Sequence, residues 1–136
     1  MEQSSFFRRL GAIAYDIFLI FACLIFSTLI WVILNNKAVT QDNILLFRIY
    51  CFSVIYLFFI WFWVKRGQTL GMLAWKIKLV DQHGSTVNIT KASIRLFYAL
   101  LFSLPCGLTY IWMLLDPESI TLHDRLSKTY MVKTTQ

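Results

Sequence analysis

Charge is scarce in this chain and unevenly spread. Only 15% of the 136 residues are Asp, Glu, Lys or Arg. Residues 10–34 carry one charge, Asp16, and residues 49–64 and 96–115 carry none. The hydrophobic fraction of 58% stands above the ~45–50% usual in soluble folds, so a soluble domain is not expected. Cysteine is also sparse. Cys23, Cys51 and Cys106 each fall in an apolar run, and no two have Cys-x-x-Cys spacing. Packing is their expected role, with no metal site and no cofactor. Paired catalytic carboxylates, Ser/His/Asp and Cys/His arrangements are missing, so an enzyme is not expected.

Three hydrophobic segments organise what remains. A helix rises about 1.5 Å per residue, so a hydrocarbon core of about 30 Å needs roughly 20 apolar residues. Residues 10–34 suffice outright. Residues 44–64 suffice when Arg48 reaches back to the headgroups. Residues 96–115 have the length but contain Pro105 and Gly107, which break a helix interior. The expected fold is a single-domain α-helical integral membrane protein. It has two transmembrane helices, a Pro/Gly-broken third hydrophobic helical segment, a small cytoplasmic β-hairpin cap within residues 65–94, and a tail at 116–136.

The first run follows Arg8 and Arg9 as a signal peptide would, but it is too long for an h-region of about 7–15 residues and lacks a small-residue cleavage site, so it is expected to be retained. The net charge of +6 sits beside hydrophobic ends rather than on a basic-aromatic surface. Anionic lipid headgroups are therefore the expected partner, and nucleic acid is not.

Basic residues concentrate on cytoplasmic flanks. Arg8 and Arg9 precede the first segment, Lys37 alone lies between residues 35 and 43, and Lys65, Arg66, Lys76, Lys78, Lys91 and Arg95 come after the second. The N-terminus and the polar cap are thus expected in the cytoplasm of a multi-pass protein of the cell membrane. Trp31, Trp61 and Trp63 suit interfacial belts.

Within the cap, residues 76–80 partly alternate, residues 81–85 supply turn chemistry, and Val87 and Ile89 alternate again. This predicts a β-hairpin, followed by a helix starting at Lys91 with Thr90 as N-cap. The third segment has two readings. As a kinked span it puts Arg125, Lys128 and Lys133 outside; as a re-entrant helical hairpin it returns them to the cytoplasm. Their charge favours the second, and the strand-like Tyr130-Met131-Val132 needs a partner on its own side.

An acid within a membrane segment is a functional candidate by default. Asp16 lies about 10 Å into the first segment, two turns beyond Arg9. Gly11, Ala12 and Ala14 would let another helix come close. Asp16 is read either as a structural acid, ion-paired or capping another segment's backbone, or as an acid exchanging a proton or a monovalent cation. His123-Asp124-Arg125 is the second dense polar cluster; its ordinary reading is an interfacial contact. Gly67-Gln68-Thr69-Leu70-Gly71 lacks the Lys-Ser/Thr of a P-loop and reads as a turn leaving the membrane.

Several of these pieces together resemble one family. They are Arg9-Leu10-Gly11-Ala12 through Asp16, Gly67-x-Thr69-Leu70-Gly71, Val80-Asp81 through Gly84, Arg95, and Leu122-His123-Asp124-Arg125-Leu126-Ser127-x-Thr129. From about residue 6 to 132 the chain resembles the RDD family of small, mainly prokaryotic membrane proteins. The resemblance carries the family's arginine and two aspartates onto Arg9, Asp16 and Asp124, with His123, Arg125 and Arg95 as secondary positions. Met72 stands where a Lys often follows the second glycine, which argues against a phosphate or headgroup role there. What the resemblance implies about activity is limited: the family's molecular function is largely unassigned, with transport proposed and sodium/proton antiport suggested for some members. Two functions are expected on this basis: a transport or cation/proton-exchange component, oligomeric because so few helices enclose no pathway, or a non-catalytic scaffold or partner-binding subunit.

Overall fold

The computed structural model describes residues 2–103, 108–118 and 120–134. Two long helices come first, α1 (Phe6–Asn35) and α2 (Ile44–Lys65). At 1.5 Å per residue they run about 45 and 33 Å, each enough to cross a bilayer. An 18-residue stretch of α1 is only 6% buried and that of α2 not at all, whereas the core helix of a soluble protein would be mostly buried. Phe18 and Phe26 are 78% and 68% exposed, a cost in water that hydrocarbon removes.

The α1–α2 connection is set locally. Asn36 adopts φ 49°, the left-handed conformation that Asn tolerates at a helix end, and the Asn35 side chain donates to the Trp31 carbonyl at 2.9 Å. Asn43 then closes the turn, accepting from Thr40 N at 2.8 Å and donating to the Ala38 carbonyl at 3.2 Å. Trp31 packs on Phe47 and Tyr50, and Tyr50 donates to the Ser27 carbonyl at 3.1 Å. Trp31 and Trp63 thus both have packing partners, while Trp61 is exposed beneath Lys65.

Beyond α2 come α3 (Leu70–Ala74), β1 (Ile77–Asp81), α4 (Ile89–Ser103), α5 (Leu108–Leu115), α6 (Leu122–Ser127) and β2 (Thr129–Lys133), and the two strands, α3, α6 and the start of α4 build a compact cap. Ile77, Leu79, Val87, Ala92, Leu96 and Met131 form its core with Met72 and Trp63. The α4 helix leaves this core and packs on α2, where Tyr56 and Ser93 share a hydroxyl hydrogen bond of 2.8 Å.

The expected local hairpin is corrected here. β1 pairs antiparallel with β2, from Ile77 opposite Lys133 to Asp81 opposite Thr129. The turn at 81–85 does form. Asp81 accepts from the backbone N–H groups of His83 and Ser85, and these bonds hold its carboxyl down at about 2. After the turn, however, Val87 enters the core and the chain goes straight into α4. A C-terminal strand with better alternation takes the edge that a local partner would have used. The N-terminal segment extends the arrangement, with Ser4 N donating to Met131 O and Lys133 N to Glu2 O, each at 3.0 Å. Glu2 and Ser4 therefore lie with β2 in the cap. The α4 cap is corrected too: Asn88, not Thr90, accepts from Lys91 N at 3.0 Å, and the helix starts at Ile89. Pro105 and Gly107, on which the expected break of the third segment rests, lie outside the described residues, as does Cys106.

Candidate functional site

Two buried acids sit where the long helices meet the cap, each held by elements remote in sequence. Asp124, on the first turn of α6, is fully buried. Its Oδ2 accepts from Arg9 Nη1 at 2.7 Å, and its Oδ1 from Arg95 Nη1. Arg9, 2% exposed, also donates through Nε to Ser4 Oγ at 2.8 Å. Arg95, 1% exposed, donates to Thr129 Oγ1 at 3.1 Å, and its guanidinium lies 5.2 Å from the centre of the Trp63 ring. One carboxylate thus ties α1, α4 and α6 together, and Thr129 and Ser4 extend the tie to β2 and the N-terminal segment.

Asp16 is the second node, 5% exposed and two turns further along α1. Thr69 donates its hydroxyl to Asp16 Oδ2, while Gly71 N donates to Oδ1 at 2.9 Å. Thr69 is also the N-cap of α3, accepting from Met72 N at 3.2 Å. Asp16 therefore completes the cap of a short helix lying against α1: Thr69 satisfies one of its early N–H groups and Asp16 another. Gly71 is needed for that approach. A Cβ there would overlap the Ala12 carbonyl oxygen and crowd the Asp16 carboxylate. Of the small residues on α1, Ala12 is buried at this contact and Gly11 lies under the Trp75 ring, whereas Ala14 is exposed. The close neighbour is α3 rather than a second spanning helix.

An Arg9–Asp16 ion pair is among the sequence-based readings, and the geometry gives each residue other partners. Both lie on the buried face of α1, but the Arg9 side chain goes to Asp124 and Asp16 to α3. His123 is buried next to this centre, with Nε2 3.2 Å from Thr121 Oγ1 and 3.6 Å from Asp124 Oδ1. Burial, reinforced by the Arg95 and Arg9 charges, holds its pKa well below the ordinary value, so the ring is neutral at pH 7. Arg125 does not join the cluster. It is exposed and faces Glu118 at 3.4 Å and Asp116 at 3.7 Å. Among the described residues no group of three His, Cys, Asp or Glu is placed to hold a metal ion.

Arg9, Asp16, Arg95 and His123 also line one cavity of about 390 Å³. It continues past them between α1, α2 and α4 along Ile20, Phe59 and Leu100. Ser4, Thr69, Gly71 and Thr129 are contributors to which the sequence reading gave no site role. Thr69, Gly71 and Thr129 stand in the motifs that resemble the family, but Thr69 and Gly71 are read there as a turn leaving the membrane. Ser4 carried no signal.

The profile of the RDD family matches residues 3–128. The chain belongs to the RDD family. An uncharacterized protein of Rickettsia prowazekii (strain Madrid E) is 32% identical over 96 residues, an alignment covering 68% of this chain and 54% of that protein. The chain thus spans about half the length of that relative. No solved structure matches it. The RDD family is a membrane family, and the two long apolar helices agree with that assignment.

Proposed function

We propose that this RDD protein is a non-enzymatic scaffold or partner-binding subunit of the prokaryotic cell membrane, in which Arg9, Asp16 and Asp124 fasten the spanning helix α1 to a cytoplasmic cap. The observation that carries this reading is that both oxygens of Asp16 and both of Asp124 accept from donors on remote segments. A carboxylate so engaged is suited to fixing geometry. In the proposed multi-pass topology the N-terminus, the cap and the tail are cytoplasmic and the loop around Lys37 is outside, in keeping with the positive-inside rule. Exposed basic residues of the cap face anionic headgroups, and the apolar faces of α1 and α2 are open to lipid, a second copy or another membrane protein.

The test is folded yield and thermal stability of Asp16→Asn in detergent. The fastening role requires a clear loss of both, and a variant as stable as the parent would refute it. Transport is the second reading, favoured by one observation: Asp16 borders the cavity between the helices. Cation-dependent proton flux in liposomes, abolished in a folded Asp16→Asn variant, would establish it in place of the scaffold; well-oriented vesicles without flux would remove it.

A further inference from the structure

The α3 segment carries no charge from Leu70 to Trp75 and is flanked by the exposed Arg66 and Lys76. Gly71 and Met72 are buried against the protein, whereas Leu70, Leu73 and Trp75 are 38%, 52% and 42% exposed. In water that outer face would be an unfavourable apolar surface. Its level along the spanning helices decides what it faces.

The two long helices are antiparallel neighbours, and their contacts fix which residues stand level. Tyr50 donates to the Ser27 carbonyl, and Phe47 packs on Trp31. Fifteen residues beyond Tyr50, about 22 Å along α2, is Lys65; the same step back from Ser27 along α1 reaches Ala12. The 22 residues of α2 are just enough to cross the hydrocarbon. The charges of Lys65 and Arg66 at its end therefore mark the headgroup layer on the cap side, level with Ala12.

The α3 helix is held at that level. Gly71 N donates to Asp16, which lies four residues, about 6 Å, to the membrane side of Ala12. A Cβ on Gly71 would meet the Ala12 carbonyl oxygen, and one on Gly11 the Trp75 ring. The Trp75 carbonyl also accepts from Arg8 Nη1 at 3.1 Å, tying the other end of α3 to α1. Leu10, Tyr15 and Phe18 on the neighbouring turns of α1 are exposed, so the lipid-facing surface of α1 runs past the level of α3.

We infer that α3 is an interfacial helix whose Leu70, Leu73 and Trp75 face sits in the boundary between headgroups and acyl chains of the cap-side leaflet, with Arg66 and Lys76 among the phosphates. Its partner is the lipid surface itself. A tryptophan beside a lysine suits that boundary, where the ring takes the apolar side and the ammonium the wet one. Asp16, bonded to the inner side of the same helix, then stands near the headgroup layer rather than at the bilayer centre. The inference needs only the membrane assignment and holds for a fastening or a transporting Asp16.

The experiment reconstitutes the full chain, with Cys23, Cys51 and Cys106 replaced by serine, into liposomes of phosphatidylcholine and phosphatidylglycerol, and attaches a nitroxide at Leu73→Cys. Its collisions with oxygen, which concentrates in lipid, are compared with its collisions with a water-soluble nickel chelate. The oxygen-to-nickel ratio is expected to fall below that of Leu57→Cys, on the exposed side of α2, and at least threefold above that of Gln82→Cys, in the exposed turn. A ratio equal to that of Gln82→Cys puts α3 in water and overturns the inference. A label shielded from both oxygen and nickel overturns it as well, because a second copy or another protein then covers this face. If Leu73→Cys does not fold, Leu70→Cys gives the same reading from the neighbouring exposed position.

Discussion

Arg9 Nη1 lies 2.7 Å from Asp124 Oδ2, joining the first turns of α1 to α6 across 115 positions of sequence. Both side chains are almost wholly buried, and Arg95 approaches the other oxygen of the same carboxylate. Removing the acid leaves two buried guanidinium groups without their counter-ion. Asp124→Asn should therefore lower stability by about 3–5 kcal/mol. A thermal-unfolding double-mutant cycle of Asp124→Asn with Arg9→Met should show coupling of about 0.5–3 kcal/mol; additive losses would mean the pair contributes nothing as a pair.

The two glycines that face α1 contacts should respond differently to a methyl group. At Gly71 the new carbon meets the backbone oxygen of Ala12 as well as the Asp16 carboxylate, and backbone cannot step aside. Gly71→Ala should cost about 1–3 kcal/mol, the usual penalty of overpacking, and should detach α3 from α1. At Gly11 the obstruction is the Trp75 ring, which is 42% exposed and has room to swing. Gly11→Ala also gains up to about 1 kcal/mol of helix propensity, so its net effect should be clearly smaller. Melting temperatures of the two variants side by side check the order.

His123 makes stability depend on pH in a definite direction. Its folded pKa is depressed, so between that value and the ordinary 6.5 the unfolded chain binds a proton that the folded chain refuses. Stability rises with pH wherever the unfolded state holds more protons. The contribution is therefore complete above pH 6.5 and is lost progressively as the pH falls below it. A His123→Leu variant should show a flatter stability profile between pH 7 and 5 than the parent. Parallel profiles would show that this ring does not titrate on unfolding.

Long-range partners mark the limit of what the sequence made legible. Residues 10–34 and 44–64 announce α1 and α2 because apolar runs of that length with one charge apiece have few other homes, and Asp16 stands out as the single charge within the first run. The turn at 81–85 was equally plain, since Asp81 and Gly84 act through bonds to their immediate neighbours. The segment after the turn was harder to place. Val87 and Ile89 alternate as a strand would, yet pairing is decided by which segment reaches the edge of β1, and Thr129–Lys133 reaches it from about 50 residues away. Asp16 is the same case in the site. Its helix position was clear, but whether it met Arg9 or the N-terminus of α3 depended on Gly71 allowing a backbone approach that no local pattern encodes.

The β1–β2 pairing supplies the last prediction, because it decides where the tail lies. Lys78 stands opposite Val132 in an antiparallel register, and facing residues in such a ladder have Cα atoms about 4.5–5.5 Å apart. That separation falls within the ~4.4–6.8 Å a disulfide accepts. With Cys23, Cys51 and Cys106 replaced by serine, Lys78→Cys with Val132→Cys should cross-link under mild oxidation, whereas Lys78→Cys with Tyr130→Cys, two positions out of register, should form far less. The bond would also fix the topology, since a strand paired with residues 77–81 cannot emerge on the opposite side of the membrane from the cap. A C-terminal reporter should then report the same compartment as one inserted at Gly84 in the exposed turn. Efficient cross-linking of the shifted pair, or reporters in opposite compartments, would exclude this register and return the third hydrophobic segment to a full membrane span.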